Sequence, residues 1–225
     1  MLDLAVQDRA IRHSILLRFY QRYLNDTDTA RFIASVAKHY AQGTLHRLLL
    51  SGDEHTRRAA ALALGLIGNQ ESIEILGPFL CHNDRKLRLI VDDAMRALAA
   101  REGGAAQRQE LERIVRCNEC GNLEKSISLA TAQLENTTGS AELFHQRSLA
   151  FFQVDAVEHA IADCRQALKL NKFHYAAMVG LGHCHLELGD LLSSLFWFRR
   201  ALEIYPDLEP VRMQVLRLEQ AIQEL

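Results

Sequence analysis

The sequence predicts an all-α chain, an α-solenoid in which helical hairpins follow one another and each packs on the next. The first observation is self-similarity. The stretch from Ala141 to Asp207 holds the same hairpin pattern twice, offset by 34 residues, so that Phe144 falls on Met178, Cys164 on Phe198 and Leu168 on Leu202. The second is a looser repeat in the N-terminal half, with a period near 31. The third is composition: only 3 prolines occur in 225 residues, while Ala and Leu abound.

Residues 2–24 read as the first helix, because Ile11, Ile15, Leu16, Phe19, Tyr23 and Leu24 recur at helical intervals. Asn25-Asp26-Thr27-Asp28 supplies turn and cap chemistry, and 30–40 follows as a helix with Phe32, Ile33, Val36 and Ala37 inward. The looser repeat then sets Leu45, Leu49, Asp53, Arg57 and Ala63-Leu64 on Leu76, Leu80, Asp84, Arg88 and Ala94-Met95. Each copy is a short helix, an acidic turn, and a second helix opening with Arg. Asp at a helix start meets exposed amides, and stacked Asp and Arg side chains can pair between hairpins. Gly77-Pro78 interrupts and bends the helix expected at 71–81. These matches resemble HEAT-type repeats, and the hairpin at 1–41 reads as a degenerate copy.

Arg101-Glu102-Gly103-Gly104 is the best boundary, since paired glycines weaken a helix. Beyond it, Gly121, Asp155 and Gly189 stand 34 residues apart, at the turn that must go left-handed between two helices. The segment Leu181-Gly182, Leu188-Gly189-Asp190, Phe198, Ala201-Leu202, Pro206 closely resembles the tetratricopeptide repeat. Helix pairs therefore follow at 107–140, 141–174 and 175–208, with a polar-faced cap at 209–225 that carries Val211, Val215, Leu216 and Ile222 inward. The expected organisation is a HEAT-like part at 1–103 (hairpin 1–41, units 42–68 and 71–101) and a tetratricopeptide part at 104–225.

Charge is nearly balanced, 26 basic against 28 acidic groups, so the chain has no strong general pull toward nucleic acid or membrane. No apolar run approaches the roughly 18 residues of a membrane span, and acids near the start argue against a signal peptide. An odd set of 5 cysteines without framework spacing fits a cytoplasmic protein. A Gly-rich phosphate loop, a nucleophile elbow and an HExxH helix are all missing, so the expectation is a non-enzyme without cofactor.

The resemblance places ligands in a concave groove lined by first helices. Carried onto this sequence, the groove positions are Glu142, His145, Gln146, Leu149, Phe152 and Gln153, then Val179, Gly180, His183, Leu186 and Glu187. In the weaker unit they are Leu111, Glu112, Val115, Asn118 and Glu119. Leu149, Phe152, Val179 and Leu186 would form an apolar strip for an amphipathic helix or extended peptide. The alternative is that the chain's own cap, or a second copy in a homodimer, covers that strip. Arg57, Arg58, Arg85, Lys86 and Arg88 could form a basic ridge for phosphate or RNA, but interleaved Asp and Glu favour a mutually paired face. Cys117 and Cys120 have zinc-ligand spacing without the further ligands a closed site needs, and are read as core cysteines. His183 and His185 point apart on one helix, so no metal site is expected. The function expected is a protein-binding adaptor, with a regulatory or assembly subunit of an enzyme system as the alternative.

Overall fold

A computed structural model describes residues 15–136 and 139–224. The part of the first expected helix at 1–14, with Ile11, lies outside them. All regular structure among the described residues is helical, and the chain separates into two compact units, Met1–Leu98 and Ala99–Leu225.

In the first unit, α1 (residues 15–26) pairs with α2 (Thr29–His39), and Tyr23 meets Phe32 at a ring separation of 5.2 Å. Then come α3 (Gln42–Ser51) with α4 (Glu54–Ile67), and α5 (Glu71–Leu76) with α6 (Arg85–Ala100). Pro78 stops the regular helix at Leu76, and Gly77–Cys81 tightens into a 3-10 turn. First helices touch first helices, as His46 Nε2 and Ser72 Oγ share a hydrogen bond of 3.0 Å. Second helices touch second helices at Gly65, where an added Cβ would lie 2.6 Å from that of Ala94.

Asp53 caps α4 by accepting from the Thr56 amide at 2.9 Å. The Asp–Arg pairing between hairpins does form, but through Arg58 rather than Arg57. Arg58 forks onto Asp84 at 2.7 and 2.8 Å, and the repeat-matched Arg57 and Arg88 reach back to the Leu50 and His82 carbonyls. Apolar phase also differs from the expectation in places. Leu16, Tyr20, Phe32, Val36 and Tyr40 are buried, whereas Leu24 and Ala37 are exposed. Ala37 lies one residue, about 100°, away from the buried stripe of Phe32, Val36 and Tyr40, whereas Leu24 continues the Leu16 and Tyr20 stripe but stands in the last turn of α1.

The second unit contains α7 (Ala105–Glu119), α8 (Leu123–Asn136), α9 (Ala141–Gln153), α10 (Val157–Leu170), α11 (Tyr175–Glu187), α12 (Leu191–Ile204) and α13 (Glu209–Gln223). The turns inside its three hairpins are left-handed at Gly121 (φ 70°), Asp155 (φ 63°) and Gly189 (φ 73°). Each hairpin closes on a pair 16 residues apart, and the two sizes compensate. Ile114 meets Ala130, Ser148 meets Cys164, and Gly182 meets Phe198. As the second-helix residue grows from Ala to Cys to Phe, the first-helix residue shrinks from Ile to Ser to Gly. In α13 the buried face is Val211, Val215 and Leu218, and Leu216 is 53% exposed rather than inward.

Candidate functional site

The first helices α7, α9 and α11 bring the expected groove residues of the second unit onto neighbouring turns, but the apolar strip is divided. Val179 and Leu186 pack, half-buried, against the cluster that Leu195 and Phe198 of α12 form with Val211, Val215 and Leu218 of the cap helix α13. Gly180 is a close-packing position: a Cβ there would lie 2.9 Å from Cys164 Sγ. His183 packs edge-on to Phe198 at 5.0 Å and faces Phe152 at 6.5 Å. Burial lowers its affinity for a proton. Leu149 and Phe152 remain half-buried on α9, while Gln153 and Glu187 are exposed.

Beside Leu149 runs a polar relay that crosses the unit. Asn118 Nδ2, on α7, donates to the Gln146 carbonyl at 2.9 Å and to its side-chain oxygen at 3.0 Å. Gln146 Nε2 passes the chain on to Glu142 Oε1 at 2.7 Å. Glu142 Oε2 faces His174 Nε2 at 3.4 Å, and Glu142 Oε1 lies 3.7 Å from His145 Nδ1. The rings of His145 and His174 are 4.8 Å apart. Burial works against the Glu142 carboxylate, yet the two imidazoles facing it outweigh that and hold it well below the usual carboxylate range. Burial likewise pushes His145 toward its neutral form. Two atoms of the relay, Asn118 Oδ1 and His145 Nδ1, are buried without a hydrogen-bond partner.

His174 joins this site as the N-cap of α11, its Nδ1 accepting from the Ala177 amide at 3.1 Å. Sequence reasoning passed it over because a lone His after Phe173 carries no motif. The register could have found it: Ser140, 34 residues earlier, is the N-cap of α9 and accepts from the Leu143 amide.

The other expected residues are dispersed. Arg58 is committed to Asp84 and Glu54, and Arg57 and Arg88 bond to carbonyls, so only Arg85 and Lys86 of the five ridge residues are exposed. The basic ridge is mostly a bracing device of the first unit. Cys120 is exposed and Cys117 half-buried at the end of α7, which corrects their reading as core cysteines. Cys164 and Cys184 are the buried thiols, pushed up by burial to about 12 and about 11. His185 turns away from His183 toward Asp190, 3.4 Å distant. No helix among the described residues is long and apolar enough to cross a membrane.

Residues 175–208 match the family model described as Tetratricopeptide repeat, so the chain carries that repeat at α11 and α12. Among solved structures it is similar to the first TPR of Spaghetti (RPAP3) bound to HSP90 peptide SRMEEVD, at 20% identity and a TM-score of 0.50, over 52% of this chain and 93% of that one. It also matches TTC0263, a thermophilic TPR protein of Thermus thermophilus, at 18% identity and a TM-score of 0.41, over 92% of this chain and 99% of that one.

Proposed function

We propose that this tetratricopeptide-repeat protein is a non-catalytic adaptor that holds a peptide or helix of a partner protein in the groove of its second unit. The observation that carries the reading is the relay from Asn118 through Gln146 to Glu142 beside the half-buried Leu149 and Phe152. Apolar contact at Leu149 and Phe152 would supply most of the affinity, and the polar atoms would fix orientation.

The solved neighbour's peptide, SRMEEVD, is acidic. Here the groove positions include Glu112, Glu119, Glu142 and Glu187. Like-charge repulsion therefore disfavours an acidic tail and favours a neutral or basic amphipathic segment. Free thiols at all 5 cysteines suit work in a reducing cytoplasm. The domain division at Gly103 and the HEAT-like character of the first unit belong to the same reading.

The test compares binding partners of the wild type, of Leu149→Glu/Phe152→Glu, and of Phe196→Glu, which alters an exposed side chain of α12. Circular dichroism first establishes that each variant is folded. A partner lost only by the groove variant supports the proposal. A partner retained by the groove variant defeats it.

A further inference from the structure

We propose that Glu142, His145 and His174 form a binding site for a divalent transition-metal ion of the zinc, cobalt or nickel class. Their donor atoms all lie within 4.8 Å of one another. His145 Nδ1 lies 3.7 Å from Glu142 Oε1 and His174 Nε2 lies 3.4 Å from Glu142 Oε2, so each ring nitrogen faces its own carboxylate oxygen at close to the ~3.4 Å ligand–ligand separation of a site with metal bonds of about 2.1 Å, and the carboxylate can reach an ion through either oxygen. Two imidazoles and one carboxylate suit borderline metals; magnesium and calcium prefer oxygen ligands.

Four further features belong to a built site. Glu142 and His145 stand at i, i+3 on the first turns of α9, so one helix face fixes both, and α11 brings the third ligand. His145 and His174 expose only 11% and 9% of their side chains, which limits competition from water. The carboxylate is oriented from behind by the Gln146 amide, itself held by Asn118, as outer-shell hydrogen bonds orient ligating carboxylates. The buried His145 Nδ1 has no hydrogen-bond partner, and a metal ion would give it one. The fourth position is left to water or to a side chain of a bound partner.

Occupancy has a definite structural cost. His174 Nδ1 accepts from the Ala177 amide, which places the ring proton on Nε2, facing Glu142. A metal at Nε2 requires that proton to move to Nδ1, so the hydrogen bond capping α11 opens. Metal uptake is therefore coupled to loosening of the first turn of α11.

The experiment uses the full chain, stripped with chelator and titrated with Co2+ for its ligand-field absorption and with Zn2+ by calorimetry. One saturable site per chain is expected. His145→Ala abolishes it, and His174→Asn does so while keeping a competent helix cap, because Asn serves as an N-cap. His183→Ala leaves it unchanged. Zn2+ should also speed hydrogen exchange at the Ala177 amide in the wild type. The proposal is overturned if the wild type shows no saturable binding. It is equally overturned if binding survives both His145→Ala and His174→Asn, which would locate the ion elsewhere, for instance at Cys117 and Cys120.

Discussion

Arg147 grips Asp163 with two hydrogen bonds, from Nε at 2.7 Å and from Nη2 at 2.8 Å, and so ties α9 to α10. Its remaining nitrogen donates to Thr131 Oγ1 on α8 at 3.0 Å, and the guanidinium lies 5.9 and 5.5 Å from the Phe144 and Phe151 rings. One side chain thus joins three helices. Asp163 is only 4% exposed, and removing one partner of a buried pair leaves the other charge uncompensated. Asp163→Ala or Arg147→Ala should each lower unfolding free energy by about 3–5 kcal/mol. Urea unfolding of both singles and the double mutant checks this, and near-additive effects would refute coupling.

The compensating pair Gly182 and Phe198 gives a second prediction. A Cβ on residue 182 would come within 2.5 Å of the Phe198 ring. Gly182→Ala should destabilise by about 1–3 kcal/mol, as overpacking does. Phe198→Leu, added to it, should recover part of the loss. Thermal unfolding of the single and double mutants decides, and no recovery would mean that the strain lies elsewhere.

Asp155 holds the left-handed turn that Gly121 and Gly189 hold in the flanking hairpins. A side chain in that conformation carries a penalty of about 1–2 kcal/mol, less for Asp than for most residues. Asp155→Gly should therefore stabilise by somewhat under 1 kcal/mol after the entropy of the unfolded glycine is counted, or about 2 °C in Tm. An unchanged or lower Tm would show that the Asp155 side chain contributes more than the turn costs.

In the first unit the Arg58 guanidinium, hydrogen-bonded to Asp84, holds that carboxyl below the usual carboxylate range, against the opposing effect of burial. A depressed folded-state value means stability that is present above the ordinary Asp value near 3.9 and lost as pH falls through the lower folded one. Asp84→Asn should be less stable than wild type at pH 7, and the two should converge as the medium is acidified. Tm followed from neutral to strongly acidic pH would show this, and a constant gap would exclude the pair as its source.

The 34-residue register made the hairpins, the left-handed turns and most first-helix positions legible, because each follows from local geometry repeated at a fixed interval. Asn118, Glu142, His145 and Gln146 could be named as one groove for that reason. Their assembly into a relay could not, since which side chains meet depends on how far α9 and α11 approach.

What the sequence by itself determined is the helical repeat and the phase of its faces, which periodicity and turn chemistry specify residue by residue. Tertiary structure alone decided that Arg58 rather than Arg57 meets Asp84, that Val179 and Leu186 pack against the cluster shared by α12 and α13, and that the cap residue His174 closes on Glu142. The physical reason is reach. Propensity and periodicity act within a turn or two, whereas contacts between helices depend on volumes such as Gly182 against Phe198, which set the spacing only once the hairpins are packed.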